Sequence, residues 1–209
     1  MESGSQVPGA EPYPVQFSVE YPDRDLNRLT TAFRLIIAIP ILVVAAVLGV
    51  WGGAHSAAIA GGVLFLPALL LIVFRRKYPR WWFDWNLELL RFENRIWAYL
   101  ALMDDRYPST DERQAVTLEF QYPDAERDLN RWLPLVKWLL AIPHYIVLIL
   151  LWIAAVFAVI FAWFAILFTG RYPRGLFDFV LGVLRWGNRV TAYAFVLVTD
   201  RYPPFRLSP

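Results

Sequence analysis

The stretch RYPRGLFDFVLGVLRWGNRVTAY at residues 171–193 aligns without a gap to KYPRWWFDWNLELLRFENRIWAY at residues 77–99. Three shorter matches keep the same order along the chain: YPDRDLNR at 21–28 with YPDAERDLNR at 122–131, AIP at 38–40 with AIP at 141–143, and DRYP at 105–108 with DRYP at 200–203. Because both the order and the spacing hold, the sequence predicts an internal duplication.

We therefore divide the chain into two tandem units, residues 14–108 and residues 116–209. The polar linker at 109–115 is the natural boundary between them. The N-terminal segment at 1–13 lacks the basic start and apolar core of a signal peptide, so we expect it to be a short disordered tail.

The composition is typical of a membrane protein. Hydrophobic residues make up 58% of the chain and aromatic residues 17%, with 10 Trp and 10 Tyr, whose rings favour the lipid headgroup level. The net charge is only +2, without a basic stripe of the kind that neutralises nucleic-acid phosphates. The sequence therefore gives no support to nucleic-acid binding. The chain has no cysteine, which excludes disulfides, thiol catalysis and Cys-ligated metal centres.

Each unit opens with the period-2 alternation of a short β-strand. The apolar positions are Val15, Phe17 and Val19 in the first unit and Val116, Leu118 and Phe120 in the second. We expect the two equivalent strands to pair. A Tyr-Pro dipeptide then ends each strand, because proline cannot donate to a strand ladder.

A long apolar stretch follows in each unit. Residues 132–169 would make one helix of about 57 Å, nearly twice a hydrocarbon core of about 30 Å, so we predict a hairpin of two membrane spans instead. The predicted spans lie near 29–51 and 56–74 in the first unit, with a Gly-rich turn around His55, and near 132–150 and 152–169 in the second, with a turn near Leu151.

The basic residues predict the orientation. Six of them lie beside the span ends on one side: Arg75, Arg76, Lys77, Arg80, Arg171 and Arg174. The positive-inside rule makes that side cytoplasmic, so we predict a multi-pass protein of the cell membrane with both termini in the cytoplasm. Arg34 and Lys137 lie within their spans, where we expect long side chains to snorkel to the same interface.

The last third of each unit predicts an amphipathic helix, over 81–103 and over 175–197. One stripe carries the charges, namely Asp84, Glu88, Arg91 and Arg95 in the first unit and Asp178, Arg185 and Arg189 in the second, where Gly182 replaces the glutamate. An arginine at the bilayer centre costs about 2.5–3.5 kcal/mol, so we place both helices in the membrane interface. The predicted fold is a mainly α membrane protein whose two units each contain a short strand, a transmembrane hairpin and an interfacial helix.

The stretch RYPRGLFDFVLGVLRWGNRVTAYAFVLVTDRYPPF, together with AIPH and AWFAILFTG, resembles the bacterial family known as domain of unknown function 4389. The resemblance covers residues 14–205 in both units. It implies a membrane protein, often with tandem copies, and it carries over no catalytic residue. The first unit departs from the family pattern, with KYPRWWFD for RYPRGLFD and no histidine after its AIP.

The charged stripes have two interpretations. Arg80 with Asp84 and Arg174 with Asp178 are spaced i,i+4 and predict structural ion pairs, the interpretation we favour. The alternative is a lipid-headgroup site that uses the bidentate guanidinium groups of Arg91, Arg95, Arg185 and Arg189.

His144 is a candidate polar site inside a span. We favour a packing role, in which an imidazole N–H satisfies the carbonyl that Pro143 leaves without a donor. No metal site, cofactor or catalytic residue is predicted, because the chain shows no ligand cluster, phosphate loop or nucleophile motif.

Three functions remain open. The first is a non-catalytic scaffold or accessory subunit of a membrane complex, which would contact lipids and either a membrane-protein partner or a second copy. The alternative is a lipid-binding or small-molecule transport protein that acts as an oligomer, since parallel repeats can place a substrate path between them. A lipid-modifying enzyme is the third and least favoured function, because no identified nucleophile or metal accompanies the charged stripes.

Overall fold

The structure is a computed structural model that describes residues 13–47, 65–110, 112 and 114–209. The predicted tail, apart from Tyr13, and the predicted Gly-rich turn around His55 lie outside the described residues. In the described part the chain is mainly α-helical, with one two-stranded antiparallel sheet. The elements, in chain order, are β1 (Val15–Val19), α1 (Arg28–Ala32), α2 (Arg34–Ile37), α3 (Ile39–Val47), α4 (Phe65–Arg75), α5 (Arg80–Leu100), β2 (Val116–Phe120), α6 (Pro134–Leu140), α7 (Ile142–Thr169), α8 (Arg174–Thr191) and a π-helical turn (Ala192–Val196).

The two predicted strands pair, and we call this pair the ribbon. Phe17 faces Leu118 at its centre, and Val15 and Val19 face Phe120 and Val116. Both strands alternate between buried and exposed residues, so the apolar side chains all point into the core. The period-2 prediction is confirmed.

The ribbon, α5 with α8, and the remaining helices form three layers. The inner face of the ribbon packs on α5 and α8. On their other side, α8 packs on α7 and α5 packs on α3. α1 lies beside α7, and α4 lies beside α6. We call α1 to α4, α6 and α7 together the apolar layer, because their outer surfaces are rich in exposed Leu, Ile, Val and Phe.

Helices α7 and α8 run antiparallel along almost their whole length. Leu148, near the start of α7, packs with Trp186 and Val190, near the end of α8. Val159, further along α7, lines the same cavity as Val180, nearer the start of α8. The orientation of α7 relative to a membrane therefore also sets the orientation of α8.

The second unit differs from the predicted hairpin. A single 28-residue helix, α7, runs through Leu151, where we expected a turn. The chain breaks earlier, at Ala141, where Pro143 removes a helical donor. No glycine or proline occurs between His144 and Thr169, so nothing in the local sequence ends the helix before Gly170.

The first predicted span is also interrupted. Residues 28–47 form three short helices separated at Phe33 and Ala38. Ala38 precedes Pro40 as Ala141 precedes Pro143, so the AIP motif breaks the helix at the same place in both halves.

The two amphipathic helices end earlier than predicted. α5 ends at Leu100, and α8 ends at Thr191 and continues into the π-helical turn. Soon after each helix, a buried leucine takes a left-handed conformation, Leu102 with φ 63° and Leu197 with φ 61°. L-residues rarely adopt this conformation, and a helix cannot continue through it.

Each half of the chain holds the start of the other half's amphipathic helix. The Tyr21 hydroxyl donates to the carbonyl of Tyr172, 2.6 Å away, just before α8. The Tyr122 hydroxyl donates to the carbonyl of Tyr78, 2.5 Å away, just before α5. These four residues occupy aligned positions in the matching segments of the two halves, so the exchange is reciprocal.

Asn94 and Asn188, also at aligned positions, bind each other between α5 and α8. Each amide N–H₂ donates to the other's carbonyl oxygen, at 2.8 and 2.6 Å. Their remaining N–H groups donate to Leu90 and Leu184 of their own helices. Because both side chains are buried, this pair is a specific polar bridge in an apolar contact.

We predict that Asn94→Ala and Asn188→Ala each lower the free energy of unfolding by about 1–3 kcal/mol, because each leaves the other amide without a buried partner. The double variant should lose less than the sum of the single losses, which a double-mutant cycle of unfolding in detergent measures. Strictly additive losses would show that the two amides do not interact.

Candidate functional site

Two arginines of the predicted stripes bind the ribbon backbone. Arg91 Nε donates to the carbonyl of Leu118 at 2.9 Å, and Arg185 Nε donates to the carbonyl of Phe17 at 3.0 Å. Phe17 and Leu118 face each other as a non-hydrogen-bonded pair, so their carbonyls point outward from the two ribbon edges. Each arginine therefore covers one open edge, which would otherwise be free to pair with another strand.

The other two arginines bind the segments that follow their helices. Arg95 Nη1 donates to the carbonyl of Ser109 at 2.8 Å, and Arg189 Nη2 donates to the carbonyl of Ser208 at 3.0 Å. Both arginines are buried. Their guanidinium groups hold backbone inside the molecule.

Gly182 explains why the second stripe lacks the glutamate of the first. A Cβ at Gly182 would lie 2.7 Å from Cβ of Leu207, in the C-terminal segment that crosses α8. Arg185 Nη1 holds the same segment through the carbonyl of Leu207, at 3.0 Å. Glu88, at the aligned position of α5, is exposed and pairs with Arg91.

The predicted i,i+4 ion pairs differ between the halves. Arg80 pairs with Asp84 at 3.3 Å as expected from the spacing. Arg174 instead pairs with Asp23, at 2.9 Å, and its guanidinium lies over the ring of Tyr21. This corrects the predicted pair with Asp178: the exchange described above brings Asp23 and Tyr21 to the start of α8.

The cations Arg34 and Lys137, expected to snorkel to an interface, are buried and each forms an ion pair. Arg34 Nη2 pairs with Asp105 at 2.8 Å, and Lys137 Nζ pairs with Asp200 at 2.6 Å. Asp105 and Asp200 also accept hydrogen bonds from the backbone N–H groups of Asn27 and Asn130, which precede the apolar helices. The aspartate of each DRYP motif therefore fastens the end of its unit to the start of that unit's apolar helices.

His144 is fully buried in an aromatic cluster. Its Nδ1 accepts a hydrogen bond from Nε1 of Trp186 at 3.0 Å, and its ring stacks on Phe205 at 4.0 Å between centroids. Its Nε2 has no hydrogen-bond partner within the described chain. The imidazole thus accepts a bond from α8, whereas the sequence prediction had it donate to a backbone carbonyl.

An apolar pocket of about 440 Å³ lies between α1, the end of α5 and α7. Trp152, Val159 and Trp163 of α7 form one wall. Thr31 and Arg34 line it from the other side, and each has a buried atom, Oγ1 and Nε, without a hydrogen-bond partner among the described residues.

A second cleft, of about 390 Å³, lies where α5, α7 and α8 meet, and we call it the Glu93 cleft. The Glu93 carboxylate accepts one hydrogen bond, from Nε1 of Trp97 at 3.4 Å. Among the described residues, no Lys, Arg or His forms an ion pair with it. Burial raises the pKa of the Glu93 carboxyl, and the bond from Trp97 opposes this more weakly.

Glu93 is not among the site residues predicted from the sequence. The available signal was a mismatch in the gapless alignment, because Gly187 takes the position of Glu93 in the second half. The described residues contain no group of three or more metal-binding side chains.

The family model described as a domain of unknown function (DUF4389) matches residues 132–206. Residues 132–206 are a DUF4389 domain. The resemblance expected from the sequence is thereby confirmed for this range and stays a prediction for the rest of the chain. The DUF4389 domain includes α6, α7, α8, His144 and the Lys137–Asp200 pair. No curated protein and no solved structure matches the chain.

We predict that Arg185→Ala lowers the free energy of unfolding by about 1–3 kcal/mol, because it leaves the buried Phe17 carbonyl unpaired. Arg174→Ala is the matched control, since its ion pair with Asp23 is exposed and such pairs contribute about 0–1 kcal/mol. Unfolding in detergent and the lipid content per folded molecule would both be measured. A stable Arg185→Ala protein that has lost an anionic lipid would contradict the structural role and restore the headgroup interpretation.

Proposed function

We propose that the protein is a non-catalytic scaffold or accessory subunit that lies in the membrane with its apolar layer in one leaflet and its ribbon in water. The observation that carries this proposal is the stacking of a helix layer with a mainly apolar outer surface and a polar-faced ribbon on opposite sides of α5 and α8.

The first step is the surface of α7. In the described chain it is the one helix long and apolar enough to cross a membrane, and only 22% of its most apolar window is buried. Its outer side exposes large apolar residues such as Ile149, Phe157 and Phe161, at 58–64% of their surface. A buried core helix would not leave this surface open, whereas a lipid environment favours it.

The second step is the orientation. If α7 crossed the bilayer, the antiparallel α8 would cross too, together with the ribbon packed on it. The exposed ribbon residues Gln16, Ser18, Thr117 and Glu119 would then face hydrocarbon, and sheet edges exposed to lipid do not occur at that depth. We therefore infer that α7 lies in the membrane plane, in place of the multi-pass hairpins expected from the sequence.

The third step is the symmetry. We propose that the halves are tandem copies of one unit, related by an approximate twofold axis through the Phe17–Leu118 and Asn94–Asn188 pairs. An axis along the membrane normal puts both copies at one depth and on one side. The basic residues at the helix ends, including Arg75 and Arg171, then face one compartment, which the positive-inside rule makes the cytoplasm.

The fourth step is the role. The stripe arginines Arg91, Arg95, Arg185 and Arg189 are engaged with backbone carbonyls, which supports a structural role over a headgroup site or a catalytic one. The outer ribbon face and the apolar layer are the surfaces left for a partner. We propose that the former meets a protein in the cytoplasm and the latter meets lipids, a membrane protein or a second copy.

The apolar pocket favours a second candidate, lipid binding. Its walls suit a hydrocarbon chain, and the unpaired Thr31 Oγ1 and Arg34 Nε suit a polar group at one end. We favour the scaffold over lipid binding, because a lipid bound in this pocket would give the polar outer face of the ribbon no role.

We predict that a photo-crosslinking residue at Thr117 captures one protein in native membranes, because this position lies on the outer ribbon face. The same residue at Phe161, in the apolar layer, should form lipid adducts or capture a membrane protein. Mass spectrometry of the adducts reads both positions. Lipid adducts at Phe161 with no protein captured at either position would contradict a scaffold and favour the lipid-binding candidate.

A further inference from the structure

We propose that the Glu93 cleft binds an organic ammonium group, of the kind carried by amine and choline lipid headgroups or by small free amines. The proposal rests on the cleft alone. It does not depend on the orientation of α7 or on the scaffold role.

The first argument is charge. Glu93 is half-buried where it lines the cleft, and a carboxylate partly withdrawn from water is stabilised by a neighbouring cation. The described chain supplies Glu93 with only one long hydrogen bond, from Trp97, and no cation. An ammonium ligand would supply the missing charge.

The second argument is the lining. Four aromatic residues line the same cleft as Glu93 in two contacting pairs, Trp97 with Trp152 at 5.1 Å and Tyr145 with Phe195 at 6.2 Å between centroids. Aromatic faces attract ammonium groups, and the attraction is strongest when the cation is desolvated, as in the aromatic cages that recognise choline and methyl-lysine. A metal ion, by contrast, would need more oxygen ligands than Glu93 offers.

Third, the volume of the cleft and an unpaired hydroxyl of one lining residue also support a bound ligand. The cleft of about 390 Å³ is within the range of small-molecule sites. Tyr145 lines this cleft, and its buried hydroxyl has no hydrogen-bond partner in the described residues. It can accept from a primary ammonium N–H or donate to a neighbouring oxygen of the ligand.

The fourth argument is the break in the duplication. Gly187 stands where the second half would carry a second glutamate, and both positions line the same cleft. Two carboxylates there would repel each other. One carboxylate predicts one ammonium group for each chain.

The test uses the full-length protein in nanodiscs of phosphatidylglycerol, which carries no ammonium group. Tetramethylammonium is titrated in while tryptophan fluorescence is followed, and in a second arm phosphatidylethanolamine or phosphatidylcholine is mixed into the nanodiscs and retained lipids are counted by native mass spectrometry. Glu93→Gln, which keeps the shape and removes the charge, is compared with the matched control Glu119→Gln on the outer ribbon face.

We expect one ammonium ligand per chain in the wild type and the control, and binding about tenfold weaker or more in Glu93→Gln, the loss typical of a charged partner. Retention of a lipid identifies a headgroup as the source, and binding of tetramethylammonium without lipid retention identifies a free amine. Binding that is absent in both arms, or equal in Glu93→Gln and the wild type, would overturn the proposal.

A pH titration of the wild type keeps the proposal testable if Glu93→Gln does not fold. Tyr145 is the other titratable group that lines the cleft, and it stays protonated at neutral and acid pH. Affinity should therefore fall as the pH is lowered through the raised pKa of Glu93 and the carboxylate is neutralised. Affinity that does not change with pH would contradict the assignment.

Discussion

The pairing of β1 with β2 is the contact on which the rest of the molecule depends. It joins the beginnings of the two halves in a register centred on Phe17 and Leu118. That register brings α5 and α8 together beneath the ribbon, where Asn94 meets Asn188. It also carries Tyr21 and the segment after it to α8, while Tyr122 reaches the start of α5. Each half of the described chain therefore supplies contacts that hold the other.

The sequence predicted the strands and the amphipathic helices better than it predicted where the apolar helices begin and end. Alternation located both strands, and charge spacing located both amphipathic helices to within a few residues. The predicted turn near Leu151 was wrong because the apolar run 132–169 was divided by its length, whereas the chain breaks at Ala141, before Pro143. After Pro143 no glycine or proline interrupts the sequence before Gly170, so α7 continues for 28 residues.

The candidate site was less predictable, for two physical reasons. The partners of Arg91 and Arg185 are backbone carbonyls at the ribbon edges, and a carbonyl has no side-chain signature in the sequence. The partners of Arg34 and Lys137 are aspartates of the distant DRYP motifs. The sequence match reveals these motifs, but nothing in it indicates that their aspartates pair with Arg34 and Lys137. Glu93 could have been found, because it is a charged residue opposite a glycine in an otherwise gapless alignment. The other candidate residues are engaged in contacts within the protein. The surfaces left to contact a lipid, a partner or a ligand are the apolar layer, the outer ribbon face and the Glu93 cleft.

The most direct test of this account is the depth of α7 in the bilayer. The chain has no cysteine, so one spin label can be placed in turn at Ile146, Ile153 and Ile160, which lie on one exposed helix face. The depth of each label is then measured from its accessibility to oxygen and to a polar relaxation agent. A helix in the membrane plane predicts the same depth at all three positions. A depth that changes by about 10 Å from each label to the next would show that α7 crosses the membrane, and would contradict the account.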